Sequence, residues 1–254
     1  MARNSRLVLL IPLALLGGCS NATLDGDSPS SVSKHGSGVS DAPSYIFGNV
    51  TAGSGGGHTI NGSVRVPDGE QTGDVGSVNG SIWIGDNATA RRADTVNGSI
   101  KLGSHASADS LANVNGSIAL NVDARVVHAI HTVNGSITLR DGSEVSGSLA
   151  NVNGAIELSA AHVGGGITTV NGDIDLRGRS RVDGDILVQR QRLGLLDWLA
   201  MRHEPCVVIG PGAVVSGQLR FERKVALYVS DKATIGSVIG ATPVRYSGEE
   251  PPPH

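Results

Sequence analysis

The chain has 254 residues, which is enough for one elongated domain or two compact ones. Aromatic residues make up only 3% of it, so a compact core filled with rings is not expected. The formal net charge of −3 gives no excess of basic residues and argues against a nucleic-acid partner. The 36 glycines follow no collagen period and indicate many tight corners.

The N terminus has the pattern of an export signal. Residues 1–18 begin with two arginines and continue with an apolar stretch that is too short to span a bilayer as a mature helix. The stretch ends in Leu16-Gly17-Gly18-Cys19, which resembles the lipobox of bacterial lipoproteins. This resemblance implies that Cys19 is lipidated and anchors the mature chain to a membrane. Ser20 after the cysteine implies the outer membrane. The anchored domain is then expected to face either the periplasm or the cell exterior.

The segment after the signal is polar and lacks an apolar period. Residues 19–43, counted from the lipidated cysteine, are rich in Ser, Gly and Asp and are predicted to be a flexible tether. The first apolar cluster, Tyr45-Ile46-Phe47, is predicted to close one end of the folded domain. That domain is predicted to extend over residues 44–241.

The pentapeptide Val-Asn-Gly-Ser-Ile and its variants recur along the centre of the chain. Successive asparagines of the motif are 18, 18, 18, 19, 19 and 18 residues apart. They are Asn61, Asn79, Asn97, Asn115, Asn134, Asn153 and Asn171. A period of 18 suits three short strands of six residues each, which become stable only by stacking on the next coil. The sequence therefore predicts an all-β fold, a single-stranded parallel β-helix with three sides.

Alternation within one coil predicts which side chains point inward. Val96, Gly98, Ile100 and Leu102 share one parity, so they are expected on one side of an extended strand. Ser99 and Lys101 are expected on the outer side. One inward column is predicted, with isoleucine above isoleucine at the same point of each coil. Its members are Ile100, Ile118, Ile137 and Ile156.

The repeat changes after Asn171. Asp183 in Val182-Asp183-Gly184-Asp185-Ile186 is predicted to occupy the next position equivalent to the asparagines. Residues 189–205 break the pattern and place Leu195, Trp198 and Leu199 at helical spacing. They predict a short inserted helix that is either a lid on the solenoid or a docking helix for a partner or membrane. The solenoid resumes at Cys206, and residues 242–254 are predicted to be a disordered tail.

Two stretches connect the repeats to known families. The segment 209–217 and the segment Val182 to Ile186 are similar to the polymer-forming bactofilins. The Val-Asn-Gly-Ser-Ile copies resemble bacterial adhesin-like β-helix domains. The resemblance covers roughly residues 48–241 and implies the fold more strongly than the function. Bactofilins are cytoplasmic scaffolds, and the lipobox and the insertion at 189–205 depart from them.

The exposed polar residues allow two interpretations each. The asparagines either provide the left-handed backbone of an Asn-Gly corner and bond from coil to coil, or form a polar stripe that contacts a glycan. Arg177, Arg179 and Arg181 alternate and are expected on one exposed face. They either bind an anionic partner or form a solvated surface.

No catalytic constellation is recognisable, and no cofactor or metal site is predicted. His128 and His131 lack a third ligand at a familiar spacing, and Cys206 is expected to be a buried thiol rather than a nucleophile. The nearest acidic set for a polysaccharide-cleaving enzyme consists of Asp173, Asp175, Asp183 and Asp185. We therefore expect a non-enzymatic envelope lipoprotein that is structural or adhesin-like and acts by surface contacts with itself or with an envelope glycan or protein. The alternative is a polysaccharide lyase or hydrolase on the same scaffold.

Overall fold

The structure is a computed structural model and describes residues 48–190 and 204–252. They form a parallel β-solenoid of about ten coils with roughly 18 residues per coil, and no helix occurs among these residues. Three strands per coil stack into three faces, which confirms the predicted all-β architecture. The predicted inserted helix, including Trp198, lies almost wholly outside the described residues, as do Cys19, the tether and the Tyr45 to Phe47 cluster.

Face one is, within the described residues, a sheet of eleven parallel strands, most of them three or four residues long. Its strands in spatial order are β1 (Val50–Thr51), β3 (Val64–Val66), β5 (Ile82–Ile84), β7 (Ile100–Leu102), β9 (Ile118–Leu120), β12 (Ile137–Leu139), β15 (Ile156–Ser159), β18 (Ile174–Arg177), β21 (Cys206–Ile209), β24 (Ala226–Ser230) and β27 (Val244–Tyr246).

Faces two and three belong to one continuous sheet, because three long strands bend across the edge between them. These strands are β4 (Gln71–Asn79), β6 (Thr89–Asn97) and β8 (Ser107–Asn115). Face two continues with β10 (Arg125–Val126), β13 (Glu144–Val145), β16 (His162–Val163), β19 (Arg181–Val182), β22 (Val214–Val215) and β25 (Thr234–Ile235). Face three contains β2 (Gly57–Asn61), β11 (Ile130–Asn134), β14 (Leu149–Asn153), β17 (Ile167–Thr169), β20 (Ile186–Val188), β23 (Leu219–Phe221) and β26 (Val238–Ile239).

The core consists of straight columns of aliphatic side chains, because each coil repeats the register of the one before. Ile100 pairs with Ile118, Ile118 with Ile137 and Ile137 with Ile156, and all four are fully buried. This confirms the predicted isoleucine column. A second column runs beside it through Leu102, Leu120, Leu139 and Leu158.

The predicted parity is wrong for the valine of the motif. Val96 is only half-buried, whereas its neighbour Thr95 is 3% exposed and points inward. The reason is the corner at Gly98 and Ser99, which separates a strand of face three from the next strand of face one. The alternation of inward and outward side chains that holds from Ile100 onward therefore does not continue back across that corner. Ser99 and Lys101 are nevertheless exposed, as expected.

The strand register also corrects one predicted equivalence between coils and one predicted boundary. Asp183 follows β19 on face two, where Val182 pairs with Val163, so it is not equivalent to Asn171. The pairing of Thr169 with Val188 instead places Arg190 level with Asn171. The solenoid also extends beyond residue 241, because β27 pairs with β24, so the predicted disordered tail does not begin at 242.

The corner between faces one and two contains the four non-glycine residues that have a left-handed backbone among residues 48–190 and 204–252. They are Asn87, His105, Asp123 and Ala160, with φ values of 55°, 57°, 57° and 45°. Asn and Asp adopt this conformation more readily than other side chains, and glycine adopts it freely. Gly69 and Gly142 occupy the same corner in other coils, with φ values of 70° and 72°.

Candidate functional site

The seven asparagines of the motif form one continuous ladder of side-chain amides on the corner after face three. Each Nδ2 donates to the Oδ1 of the asparagine one coil before it, at distances of 2.8–3.0 Å from Asn79 through Asn171. Most of these bonds are exposed to solvent. The ladder therefore fixes a straight row of amides along the surface.

This ladder has a direction and a cap. Because every amide donates toward the N-terminal coil, the Oδ1 of Asn171 is the acceptor at the C-terminal end. Arg223 Nη1 donates to that oxygen and also to the carbonyl oxygen of Val170 at 3.2 Å. Aligned amide dipoles place partial negative charge at this end, where a guanidinium is favourable for the same reason as at a helix C terminus. No sequence pattern indicated that Arg223 caps the ladder.

A buried polar column lies directly beneath the amide ladder and was missed at the sequence level. The residue two positions before each asparagine is Ser, Thr or Asn, and it points inward. In five coils its side chain donates to the carbonyl oxygen of a corner glycine one coil before: Thr59 to Gly48 at 2.9 Å, Ser77 to Gly62 at 2.9 Å, Thr95 to Gly80 at 2.9 Å, Asn113 to Gly98 at 3.0 Å and Asn151 to Gly135 at 3.2 Å. In these coils the bond connects the corner to that of the preceding coil. The sequence signal for this column is that Ser, Thr or Asn occurs two residues before every asparagine of the motif.

The glycine of each motif is required mainly by close backbone stacking. A Cβ on Gly98 would lie 2.1 Å from the carbonyl oxygen of Gly80, and one on Gly80 would lie 1.8 Å from that of Gly62. None of the seven ladder asparagines has a positive φ. The left-handed Asn-Gly corner expected from the sequence is therefore wrong for the asparagines, whose contribution is the amide ladder.

The outward residue at the middle of each face-one strand forms a second straight row, here called the central row. In spatial order it comprises Thr51, Arg65, Trp83, Lys101, Ala119, Thr138, Glu157, Asp175, Val208, Tyr228 and Val244. Trp83 is 45% exposed, and the Cζ of Arg65 lies 4.1 Å from its ring centroid. The Nζ of Lys101 lies 5.8 Å from the same centroid. An indole flanked by two cations thus stands on face one.

The three arginines predicted on one face occupy different elements. Arg177 ends β18 on face one, Arg181 begins β19 on face two, and Arg179 lies in the corner between these strands. All three are exposed, but Arg177 donates from Nε to Asp175 at 2.7 Å and Arg181 donates from Nε to Asp183 at 2.6 Å. Neighbouring carboxylates therefore offset two of the three charges.

The four candidate acids each bond to a neighbouring part of the solenoid. Asp173 Oδ1 accepts from the backbone N–H of Cys206 at 2.8 Å, and Asp185 Oδ1 accepts from that of Gln218 at 2.7 Å. Asp175 pairs with Arg177 as described. Asp183 lies 2.9 Å from His162 Nε2, and hydrogen bonds with His162 and then with Arg181 hold the pKa of Asp183 below its usual range. Asp173, Asp183 and Asp185 therefore connect adjacent coils, whereas Asp175 bonds to Arg177 within its own strand.

The remaining titratable residues are dispersed. Burial lowers the pKa of His131, whose Nδ1 has no hydrogen-bond partner among the described residues. Burial, followed by the charge of Asp173, raises the pKa of the Cys206 thiol to about 11, so this thiol is a weak nucleophile near neutral pH. Within residues 48–190 and 204–252, no three His, Cys, Asp or Glu side chains are grouped so that they could hold a metal ion.

A cleft lies between face one and the C-terminal residues. Its polar lining consists of Asp175, Arg177, Tyr246, Glu249 and Glu250. The Oη of Tyr246 is buried without a hydrogen-bond partner in the described part of the chain, and burial raises the pKa of this tyrosine. Since Glu249 and Glu250 fall in the segment predicted as a tail, the sequence did not place them beside Asp175.

The fold and these rows define the class of the molecule, a three-sided parallel β-solenoid repeat protein. Comparison of the chain with models of protein families, with curated proteins and with solved structures found no match. Among the described residues, no helix combines the length and apolar character needed to cross a membrane.

Proposed function

We propose that this chain is a non-enzymatic lipoprotein of the bacterial envelope, structural or adhesin-like, that acts through its extended surface or by self-association. The observation that carries the proposal is the amide ladder, in which Asn side chains from Asn61 to Asn171, exposed as far as Asn134 and half-buried after it, repeat one chemistry along seven successive coils. A rigid row of evenly spaced amides is suited to a partner that is itself linear and repetitive. An envelope polysaccharide is such a partner.

The proposed anchor rests on the sequence alone. The lipobox-like stretch ending at Cys19 and the polar segment after it would hold the solenoid close to the outer membrane, on either its periplasmic or its outer side. A surface that works by many weak contacts benefits from this confinement, because tethering raises its effective concentration at the envelope. The likeness of the repeats to adhesin-like β-helices is consistent with this placement, whereas the likeness to bactofilins, which are cytoplasmic scaffolds, supports self-association only.

Replacing Cys19 with alanine is expected to release the protein from membranes, because the lipid is the proposed anchor. Fractionation of cells that express the full chain, with labelling by a palmitate analogue, measures this directly. Ser20→Ala serves as the neighbouring control and should remain labelled and bound to the membrane. A Cys19→Ala protein that still takes up label and sediments with membranes would disprove the anchor.

The polysaccharide-active alternative has one observation in its favour, the cleft that joins Asp175, Tyr246, Glu249 and Glu250. Carboxyl groups beside a buried phenol are suitable for acid–base chemistry on a sugar. We propose instead that the residues lining the cleft have a structural role in packing the C-terminal residues against face one. Its carboxylate Asp175 already pairs with Arg177 at 2.7 Å.

Incubating the chain from residue 20 onward with isolated envelope polysaccharides separates the two functions. We expect co-sedimentation with the polysaccharide and no new reducing ends or unsaturated products. Substituting Asn97, Asn115 and Asn134 together by serine should weaken the binding, whereas Tyr246→Phe should leave it unchanged. Product formation that is lost in Tyr246→Phe or Glu249→Gln would establish the enzyme and overturn the proposal.

A further inference from the structure

The central row of face one has an ordered distribution of charge. Its N-terminal part is basic and aromatic, with Arg65 and Lys101 on either side of Trp83. Its middle consists of the small neutral residues Ala119 and Thr138, and Glu157 then follows. One straight row therefore presents a basic segment, a small neutral centre and an acidic position.

Three charges of this row, those of Arg65, Lys101 and Glu157, lack ion-pair partners within the described part of the chain, whereas Asp175 pairs with Arg177 at 2.7 Å. No carboxylate lies within ion-pair distance of Arg65 or Lys101, and no basic group lies within that distance of Glu157, in residues 48–190 and 204–252. On faces two and three, by contrast, charged residues pair internally. Examples are Arg91–Asp74 at 2.7 Å, Arg92–Asp94 at 2.7 Å and Arg181–Asp183 at 2.6 Å.

The order of the row is self-complementary. Lys101 and Glu157 lie at equal distances on either side of the midpoint between Ala119 and Thr138, each about one and a half coils, or roughly 7 Å, away. A two-fold axis through that midpoint, parallel to the strands, would place Lys101 of one copy opposite Glu157 of another. It would also place Trp83 opposite Asp175.

We propose that face one binds a second copy of this chain, with the two solenoids side by side and antiparallel. The inference rests on the proposed function, of which self-association is one form, and it assigns that association to the side of the solenoid rather than to its ends. A two-fold interface uses the same patch on both partners, so one row forms two Lys101–Glu157 pairs.

Sterics and charge both favour this arrangement. Small side chains at Ala119 and Thr138 allow two sheets to approach to about 10 Å, the usual spacing of packed sheets. The neighbouring row of serines is uncharged from Ser63 to Ser136, so no like charges oppose each other there. A parallel arrangement would instead place Lys101 opposite Lys101 and is disfavoured by repulsion.

Sedimentation equilibrium of the chain from residue 20 onward tests the proposal. The proposed interface depends on a single row of side chains, so weak association is expected and the protein concentration should cover roughly 1–500 μM. We expect a monomer–dimer equilibrium that weakens when salt is raised from about 0.05 to 0.5 M, because salt screens exposed ion pairs. Lys101→Glu and Glu157→Lys should each raise the dissociation constant by about tenfold or more.

The double variant, Lys101→Glu with Glu157→Lys, is the decisive measurement, since it restores opposite charges across the interface. Its dissociation constant should return to within about threefold of the original, whereas independent surface effects would add. Lys232→Glu makes the same charge change in the corner before β25, at the C-terminal end of the solenoid, and should have no effect.

Three outcomes would overturn the face-one dimer while leaving the proposed function intact. One is a chain that remains monomeric at the highest concentration. Another is association weakened by Lys232→Glu but unaffected by Lys101→Glu, which would indicate end-to-end contacts. The third is a monomer in which Lys101→Glu abolishes polysaccharide binding, which would make the row a glycan site. Absence of both dimerisation and envelope binding would instead remove the proposed function itself.

Discussion

Replacing Gly98 with alanine is expected to destabilise the solenoid by about 3 kcal/mol or more, because the new methyl group has no space. Its Cβ would lie 2.1 Å from the carbonyl oxygen of Gly80 and 2.5 Å from the carbonyl carbon. Both are backbone atoms, so no side-chain rotation relieves the overlap, and the two coils must separate. Urea unfolding followed by circular dichroism measures the loss.

Gly55→Ala is the matched control. Gly55 has no heavy atom within 4 Å of an added Cβ, and its φ is outside the left-handed region. The same chemical change should therefore alter stability by less than about 0.5 kcal/mol. Equal midpoints for Gly98→Ala and the unmodified chain would show that the coils are less tightly stacked at this corner than the structure indicates.

The corner that contains Gly98 combines three stacked columns with separate physical roles. Glycine allows close approach of successive backbones, the inward Ser, Thr or Asn donates to a glycine carbonyl of the preceding coil, and the exposed asparagine bonds to its equivalent. Each column joins a coil only to its neighbours, as is usual in repeat proteins. A defect in one coil therefore weakens two interfaces.

The period and the chemistry of the motif were sufficient to predict the fold. A repeat of 18 or 19 residues with isoleucine and leucine two apart leaves few solutions other than stacked three-strand coils. The position of the isoleucine column and the outward direction of Ser99 and Lys101 followed from alternation within one strand. The alternation held over Ile100, Lys101 and Leu102 because these residues lie on one uninterrupted strand, and Ser99 directly precedes that strand.

Expectations that crossed a corner failed. Thr95 rather than Val96 is buried, since the direction of a side chain is reset at each change of face. Arg177 and Arg181 alternate in sequence but lie on different faces for the same reason. The cap formed by Arg223 depends on a contact with Asn171 across 52 residues, and such a contact leaves no local pattern. The order of charge along the central row is visible only once the register aligns residues from successive coils.

The isoleucine column gives the narrow core its continuity, and Ile118 is its centre. This side chain is fully buried and is stacked between Ile100 and Ile137 in the register of face one. Hydrogen bonds above and below hold the backbone of each coil in place, so neighbouring coils have little freedom to collapse into a void. The energetic cost of a cavity is largest where the surroundings cannot relax.

Replacing Ile118 with alanine is accordingly expected to cost about 2–4 kcal/mol of unfolding free energy. Ser99→Ala is the control on the outer side of the same face, where the side chain is exposed, and it should cost less than about 0.5 kcal/mol. Urea unfolding monitored by circular dichroism compares the two variants under identical conditions. Similar losses at both positions would contradict the inward and outward assignment along face one, whereas a small loss at Ile118 alone would show that the coils move together to fill the cavity.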